Sequence, residues 1–189
     1  MFYDVETTGT DERKHSMHQL SGLIEIDGEV VERFNLKVRP HPRAKIEAEA
    51  LEVCGVTQEQ ILAYPEMSII FKKFKAMLRK HCDPYNTKDK MYLIGFRNTS
   101  FDDKMLRAWF VQNGDEYFGS WFWSDPQDVS VLASVYLEKR RAGMENFKLM
   151  TVARTLGIAV DDTRLHDADY DMELTRLIYM IVVGLEIEM

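Results

Sequence analysis

The apolar positions of this chain change period several times along its length. Residues 2–5 read as a short strand that runs straight into acidic residues. Residues 18–27 (HQLSGLIEID) and 29–38 (EVVERFNLKV) have strand character, and Asp27-Gly28 between them marks a tight hairpin. Pro40 and Pro42 close this antiparallel meander. Residues 45–55 predict a short helix stopped by Gly55. In residues 66–81, Ile70, Phe74, Met77 and Leu78 fall on one helical face. Lys72, Lys73, Lys75, Arg79 and Lys80 fall on the other, as on a solvated helix surface. The unbroken apolar run MYLIGF (91–96) fits a strand buried on both sides. A helix over 100–114 ends at Gly114, and SWFW (120–123) reads as another strand. Helices then follow over 128–141, 147–157 and from Asp169 to Val183, with Gly143 as a break. A meander followed by alternating helices and strands predicts an α/β fold with a mixed sheet.

A length of 189 residues predicts one domain, 1–189. No apolar run has the length of a membrane span, and no basic-then-apolar leader precedes Phe2. The only cysteines, Cys54 and Cys82, lack the spacing of a disulfide framework or a metal knuckle. A reduced, cytoplasmic protein is therefore expected, with no membrane partner. The net charge of −7 argues against attachment to nucleic acid by charge alone. It leaves room for an enzyme that meets phosphate through divalent cations, because bound cations reverse the local sign.

Three acidic signals carry candidate chemistry. Asp4 and Glu6 stand two apart and so share one face of a strand. Two carboxylates side by side are costly in a dry core and favourable around a divalent cation with a preference for oxygen ligands, such as Mg²⁺ or Mn²⁺. Thr7 and Thr8 offer N–H groups and hydroxyls next to them, suited to a substrate's terminal hydroxyl, and Gly9 permits a sharp turn. The plainer alternative is a solvated strand end.

Asp102 opens a helix directly after a buried strand, the place where ligand sites of α/β sheets gather. Ser100, Asp102 or Asp103 could equally be a helix cap. His166 and Asp171 are five apart, about 140° on a continuous helix, so they converge only if His166 lies in the loop before the helix. There a histidine can act as a base. The alternative is a solvated histidine at an acidic helix start. Asp103, Asp167 and Asp169 read as helix-start residues supporting the site from behind. Phe101 reads as core. Lys139, Arg140, Arg141 and Lys148 form the basic stretch best placed to meet a nucleic-acid strand.

In this order the three signals resemble the DEDD superfamily of 3′→5′ exonucleases in its histidine-bearing form. That is the group of the proofreading epsilon subunit of bacterial replicative DNA polymerase and of ribonuclease T. Asp4-Val5-Glu6-Thr7-Thr8-Gly9 matches D-x-E-T-T-G. Asn98 through Leu106 matches N-x-x-F-D-x-x-x-L, and His166 to Asp171 matches H-x-x-x-x-D. KIEAEALEVCGVTQEQI and NFKLMTVARTLGI also resemble segments of the family. The likeness spans nearly the whole chain.

The resemblance implies a ribonuclease H-like fold, a five-stranded mixed sheet flanked by helices. It implies two Mg²⁺ or Mn²⁺ ions held by Asp4, Glu6, Asp102 and Asp171, with His166 as general base. It places the substrate at Thr7, Thr8, Gly9 and Asn98. The implied reaction releases nucleoside 5′-monophosphates from the 3′ end of single-stranded DNA, with RNA a further option. A DNA polymerase or a second copy of the chain is a conceivable protein partner. Two positions depart from the family pattern. Gly95-Phe96-Arg97-Asn98 carries one residue more than the usual G-H-N and no histidine, and Thr10 stands where a bulky apolar residue is common. The competing readings are a non-catalytic nucleic-acid- or polymerase-binding module of the same fold, and a haloacid-dehalogenase-type phosphatase. The second would normally have Asp in place of Glu6 and would leave His166 without a task.

Overall fold

The computed structural model describes residues 1–164 and 167–184. A five-stranded mixed sheet organises the chain. Its strands are β1 (Phe2–Thr7), β2 (Met17–Ile26), β3 (Glu29–Lys37), β4 (Ile94–Gly95) and β5 (Gln127–Asp128). Their spatial order is β3-β2-β1-β4-β5. The meander β1–β3 is antiparallel, whereas β4 runs parallel to both β1 and β5. The helices are α1 (Ala48–Val53), α2 (Gln58–Leu62), α3 (Met67–Leu78), α4 (Asp102–Gln112), α5 (Val129–Tyr136), α6 (Leu149–Thr155) and α7 (Ala168–Val183). This is the α/β, ribonuclease H-like arrangement expected. Among the described residues, no helix is long and apolar enough to cross a membrane.

The alternation of β1 divides the interior in two. Tyr3 and Val5 face α3 and α4, where they join Leu20, Ile24, Phe34 and Val38 from the neighbouring strands. Here Ile70, Phe74, Met77 and Leu78 are all buried, as the helical pattern predicts. Phe71 packs edge-on against Trp109 and Phe110, with ring centroids 5.0 and 4.8 Å apart. Phe101 packs at the margin of this core. Phe2 and Leu23 point the other way, under α5, α6 and α7, with Val129, Val152, Met172 and Ile178.

The second half of the sheet differs from the sequence expectation. The apolar run 91–96 forms a ladder only at Ile94 and Gly95, with a separate bridge between Met91 and Phe122. Met91 to Ile94 on one side is matched by Phe122 to Gln127 on the other. The partner carries extra residues, among them Pro126, which has no N–H to donate, and the ladder breaks there. SWFW is accordingly not a strand. A 3₁₀ turn at Phe118–Ser120 leads into it, and Trp121 and Phe122 owe their aromatic character to the core they fill. The fifth strand lies beyond it, at Gln127–Asp128. The helix expected over 128–141 ends at Tyr136 and continues as a 3₁₀ turn, Glu138–Gly143.

Candidate active site

β1 is longer than its apolar start predicts and includes Glu6 and Thr7. Asp4 and Glu6 therefore do share one strand face, the one turned towards α7. Their cross-strand neighbours extend that face into two polar rows. Asp4 lies in register with Ser21 and then Asn35, and Glu6 with Gln19 and then Lys37. The signal was present in β2 and β3 as polar residues at every second position, Gln19, Ser21, Asn35 and Lys37, on a face that would otherwise be buried. These four, with Cys54, are the site neighbours that motif reading passed over. The Cys54 thiol donates to Glu6 Oε2 at 2.9 Å. Burial and this carboxylate push the thiol pKa up to about 12.

Register slips between Glu6 and Thr7, and the strand gives way to the threonine turn. Thr8 is fully buried and its groups are engaged within the chain. Its N–H donates to Ser16 O, its hydroxyl to Lys45 O, and its carbonyl accepts from Glu47 N–H. The Thr7 hydroxyl donates to Gly9 O at 2.8 Å. A Cβ at Gly9 would lie 2.5 Å from the His15 ring, so the close approach of that buried imidazole requires glycine.

Asp102 opens α4 beneath the end of β1. It does not cap its own helix. Its Oδ1 instead accepts the Val5 N–H at 3.2 Å, a bond across the fold from α4 to β1. Asp103 pairs with Arg107 at 2.7 Å. The extra residue before Asn98 is absorbed by a left-handed turn at Arg97 (φ 61°). The Arg97 N–H and the Thr99 hydroxyl both donate to Asp128, at 2.9 Å each, while Asn98 folds back on Gly95. A Cβ at Gly95 would meet Asn98 Cβ at 2.8 Å. Asn98 is completely buried, next to Tyr3.

Asp171 sits in the first turn of α7, with Asp167 as N-cap. α7 is tied to the sheet by Asn35 Nδ2 donating to Asp169 at 2.8 Å, Arg176 to Glu25 at 2.7 Å, and an Arg33–Glu173 ion pair. His166 lies outside the described residues.

Asp4 feels the other three carboxylates. Burial drives the Asp4 pKa well above the usual carboxylate range, and Asp102, Glu6 and Asp171 push it in the same direction. Burial raises Asp102 to about 7, opposed by the backbone N–H bonds to its carboxylate and assisted by Glu6 and Asp128. Among the described residues, no three His, Cys, Asp or Glu side chains are grouped closely enough to hold a metal ion as they stand. The set nevertheless suits hard divalent cations. All four groups are oxygen donors and mutually repulsive, and their repulsion is relieved by positive charge. Lys37 lies at the edge of this face, in register with Glu6 through Gln19. Burial lowers its pKa more than Glu6, Asp167, Asp169 and Cys54 restore it.

Comparison with known proteins agrees with this geometry. A family model described as "Exonuclease" (RNase T) matches residues 1–179. The chain belongs to the RNase T/DnaQ-like family of 3′→5′ exonucleases. Within curated proteins it is similar to a DNA polymerase III PolC-type of Bacillus cereus, 27% identical over 173 residues. It is also similar to the PolC-type enzyme of Mycoplasmopsis pulmonis, 22% identical over 179 residues. The match covers 92% and 95% of this chain but only 10% and 11% of those polymerases. Among solved structures it superimposes on E. coli exonuclease I in complex with a dT13 oligonucleotide. The TM-score is 0.72 and the identity 19%, covering 96% of this chain and 40% of the other. Exonuclease I from Methylocaldum szegediense gives 0.73 and 20%, covering 96% and 39%. These superpositions establish the exonuclease-like fold.

Proposed function

We propose that the chain, as one exonuclease domain, hydrolyses the terminal phosphodiester at the 3′ end of single-stranded DNA. The carrying observation is Asp4 on the central strand, sharing a strand face with Glu6 and under the electrostatic influence of Glu6, Asp102 and Asp171. The DNA polymerases among its relatives, and the oligonucleotide in the related exonuclease I, support DNA as the substrate. Proofreading or repair of DNA ends is the matching cellular task.

Asp4, Glu6, Asp102 and Asp171 would hold the divalent cations. Bound there, Mg²⁺ or Mn²⁺ would stabilise negative charge developing on phosphate and make water a better nucleophile. The chain's own residues do the remaining work. Asp102 anchors α4 to β1 through the Val5 N–H and so sets the depth of the carboxylates. Asn35 and Arg176 hold α7, and with it Asp171, against the sheet. Thr8, locked to Ser16, Lys45 and Glu47, fixes the strand end against which a substrate's 3′ terminus would rest. His166 takes the proton of the attacking water, as an imidazole can near neutral pH.

The test is a degradation time course on 3′-labelled single-stranded DNA, duplex DNA and RNA, with Mg²⁺, Mn²⁺ or EDTA. Release of 5′-mononucleotides from the single strand, stopped by EDTA and by a 3′-phosphate block, is expected. Efficient cutting of a circular single strand would refute the end-directed mechanism.

A further inference from the structure

The polar rows beside the carboxylates contain a cation with an unusual setting. Lys37 ends β3, two strands away from Glu6 and in register with it through Gln19. Its ammonium donates to Gln19 Oε1. The Gln19 amide nitrogen donates in turn to Asn35 Oδ1 at 3.1 Å and Ser21 Oγ at 3.3 Å, which turns the amide oxygen towards Lys37. The Tyr64 ring centroid is 5.9 Å from Nζ, within reach of a cation–π attraction. A polar network and an aromatic face thus hold one half-buried ammonium at the edge of the carboxylate face.

The brace is neutral and lies on the face that carries Asp4 and Glu6, which Lys75, Lys80, Arg140 and Arg141 do not share. Lys75 is paired with Asp115 at 2.6 Å and Lys80 with Glu32 at 2.8 Å. Arg140 donates to Thr155 O, and Arg141 lies 3.7 Å from the Phe147 ring centroid. Those side chains are committed to their own surface. Lys37 has three N–H donors and gives one to an uncharged oxygen. The carboxylates and thiol around it do not offset its burial. A ligand that adds negative charge here completes the setting, and a phosphodiester lying along the sheet has that charge.

We propose that Lys37 is a substrate-contact residue, its ammonium taking a phosphate oxygen of the nucleic-acid strand whose 3′ end lies at Asp4 and Glu6. This rests on the exonuclease reading, and it assigns the contact to β3 rather than to the basic stretch 139–148.

The experiment measures binding of a fluorescein-labelled oligothymidine with a free 3′ hydroxyl, in EDTA, over a potassium chloride series. Lys37→Gln and Lys37→Arg are compared with wild type, and melting temperatures confirm that each folds. One lost phosphate contact lowers the slope of log affinity against log salt by about 0.7 for a single strand. Lys37→Gln should show that drop with weaker binding, and Lys37→Arg should restore the slope. An unchanged slope and affinity in Lys37→Gln, or no binding by wild type, overturns the proposal. Mononucleotide release by wild type in Mg²⁺ is scored separately. Release with a Lys37-independent slope refutes only the contact. A Lys37-dependent slope without release refutes only the nuclease reading.

Discussion

The two faces of β1 are built from the same six residues and obey opposite rules. Tyr3 and Val5 lie against α3 and α4, where they are stabilised by removal from water. Asp4 and Glu6, one residue out of phase, carry charges that burial penalises and that repel one another. One face is apolar at Tyr3 and Val5, whereas the other begins apolar at Phe2 and then stores unfavourable electrostatics at Asp4 and Glu6 that a cation can relieve. The difference teaches that the rigid apolar face is what allows the strained one to persist.

The comparison breaks most sharply by removing the carboxylates. Asp4→Ala, Glu6→Ala and Asp171→Ala should each reduce mononucleotide release to background while the circular dichroism spectrum stays native. Turnover near wild type in any one would remove that residue from the cation set. His166→Ala should cost about 100- to 10,000-fold in rate, the range of a lost general base, while oligonucleotide binding persists. An unchanged rate would show that His166 is not the base.

On the apolar face the readout moves from rate to stability. Phe74 is fully buried against Phe34, Trp109 and Phe110. Phe74→Ala should cost about 3–5 kcal/mol in denaturant unfolding, the usual range for emptying such a site.

The smallest effect is the most diagnostic. Asp102 titrates near 7 in the fold, against 3.8 for an ordinary aspartate. Between these values the folded chain keeps a proton that the unfolded chain has released. Stability of the metal-free protein should therefore fall as pH rises from about 4 to about 7. Asp4 is shifted in the same direction and adds to the trend. Asp102→Asn retains an oxygen for the Val5 N–H. It should flatten the slope and raise the metal-free melting temperature at pH 8. An unaltered pH profile would show that Asp102 ionises normally.

Local pattern reading succeeded where neighbours in sequence are neighbours in space. The hairpin at Asp27-Gly28, the buried face of α3 and the start of α7 all follow from periods of two or 3.6 residues. It failed at SWFW, because aromatic residues satisfy a strand and a packed turn equally well. It overlooked Cys54, whose thiol meets Glu6 only after the chain has returned from forty-eight residues away. Asp102 illustrates both sides. Its place in a motif was legible, yet as a helix-start residue it could have been a cap, and only the fold hands its oxygen to Val5.

The sequence by itself determined which strand face is polar, since residues two apart must share a side. It also determined that the acids of three motifs occur in the family's order. Tertiary structure alone decided that Asp102 and Asp171 come near enough to Asp4 to raise its pKa, through the pairing of β4 with β1 and the docking of α7. It alone decided that Gln19 would stand between Glu6 and Lys37 and accept from the Lys37 ammonium, because register is a property of paired strands, and no single strand contains it.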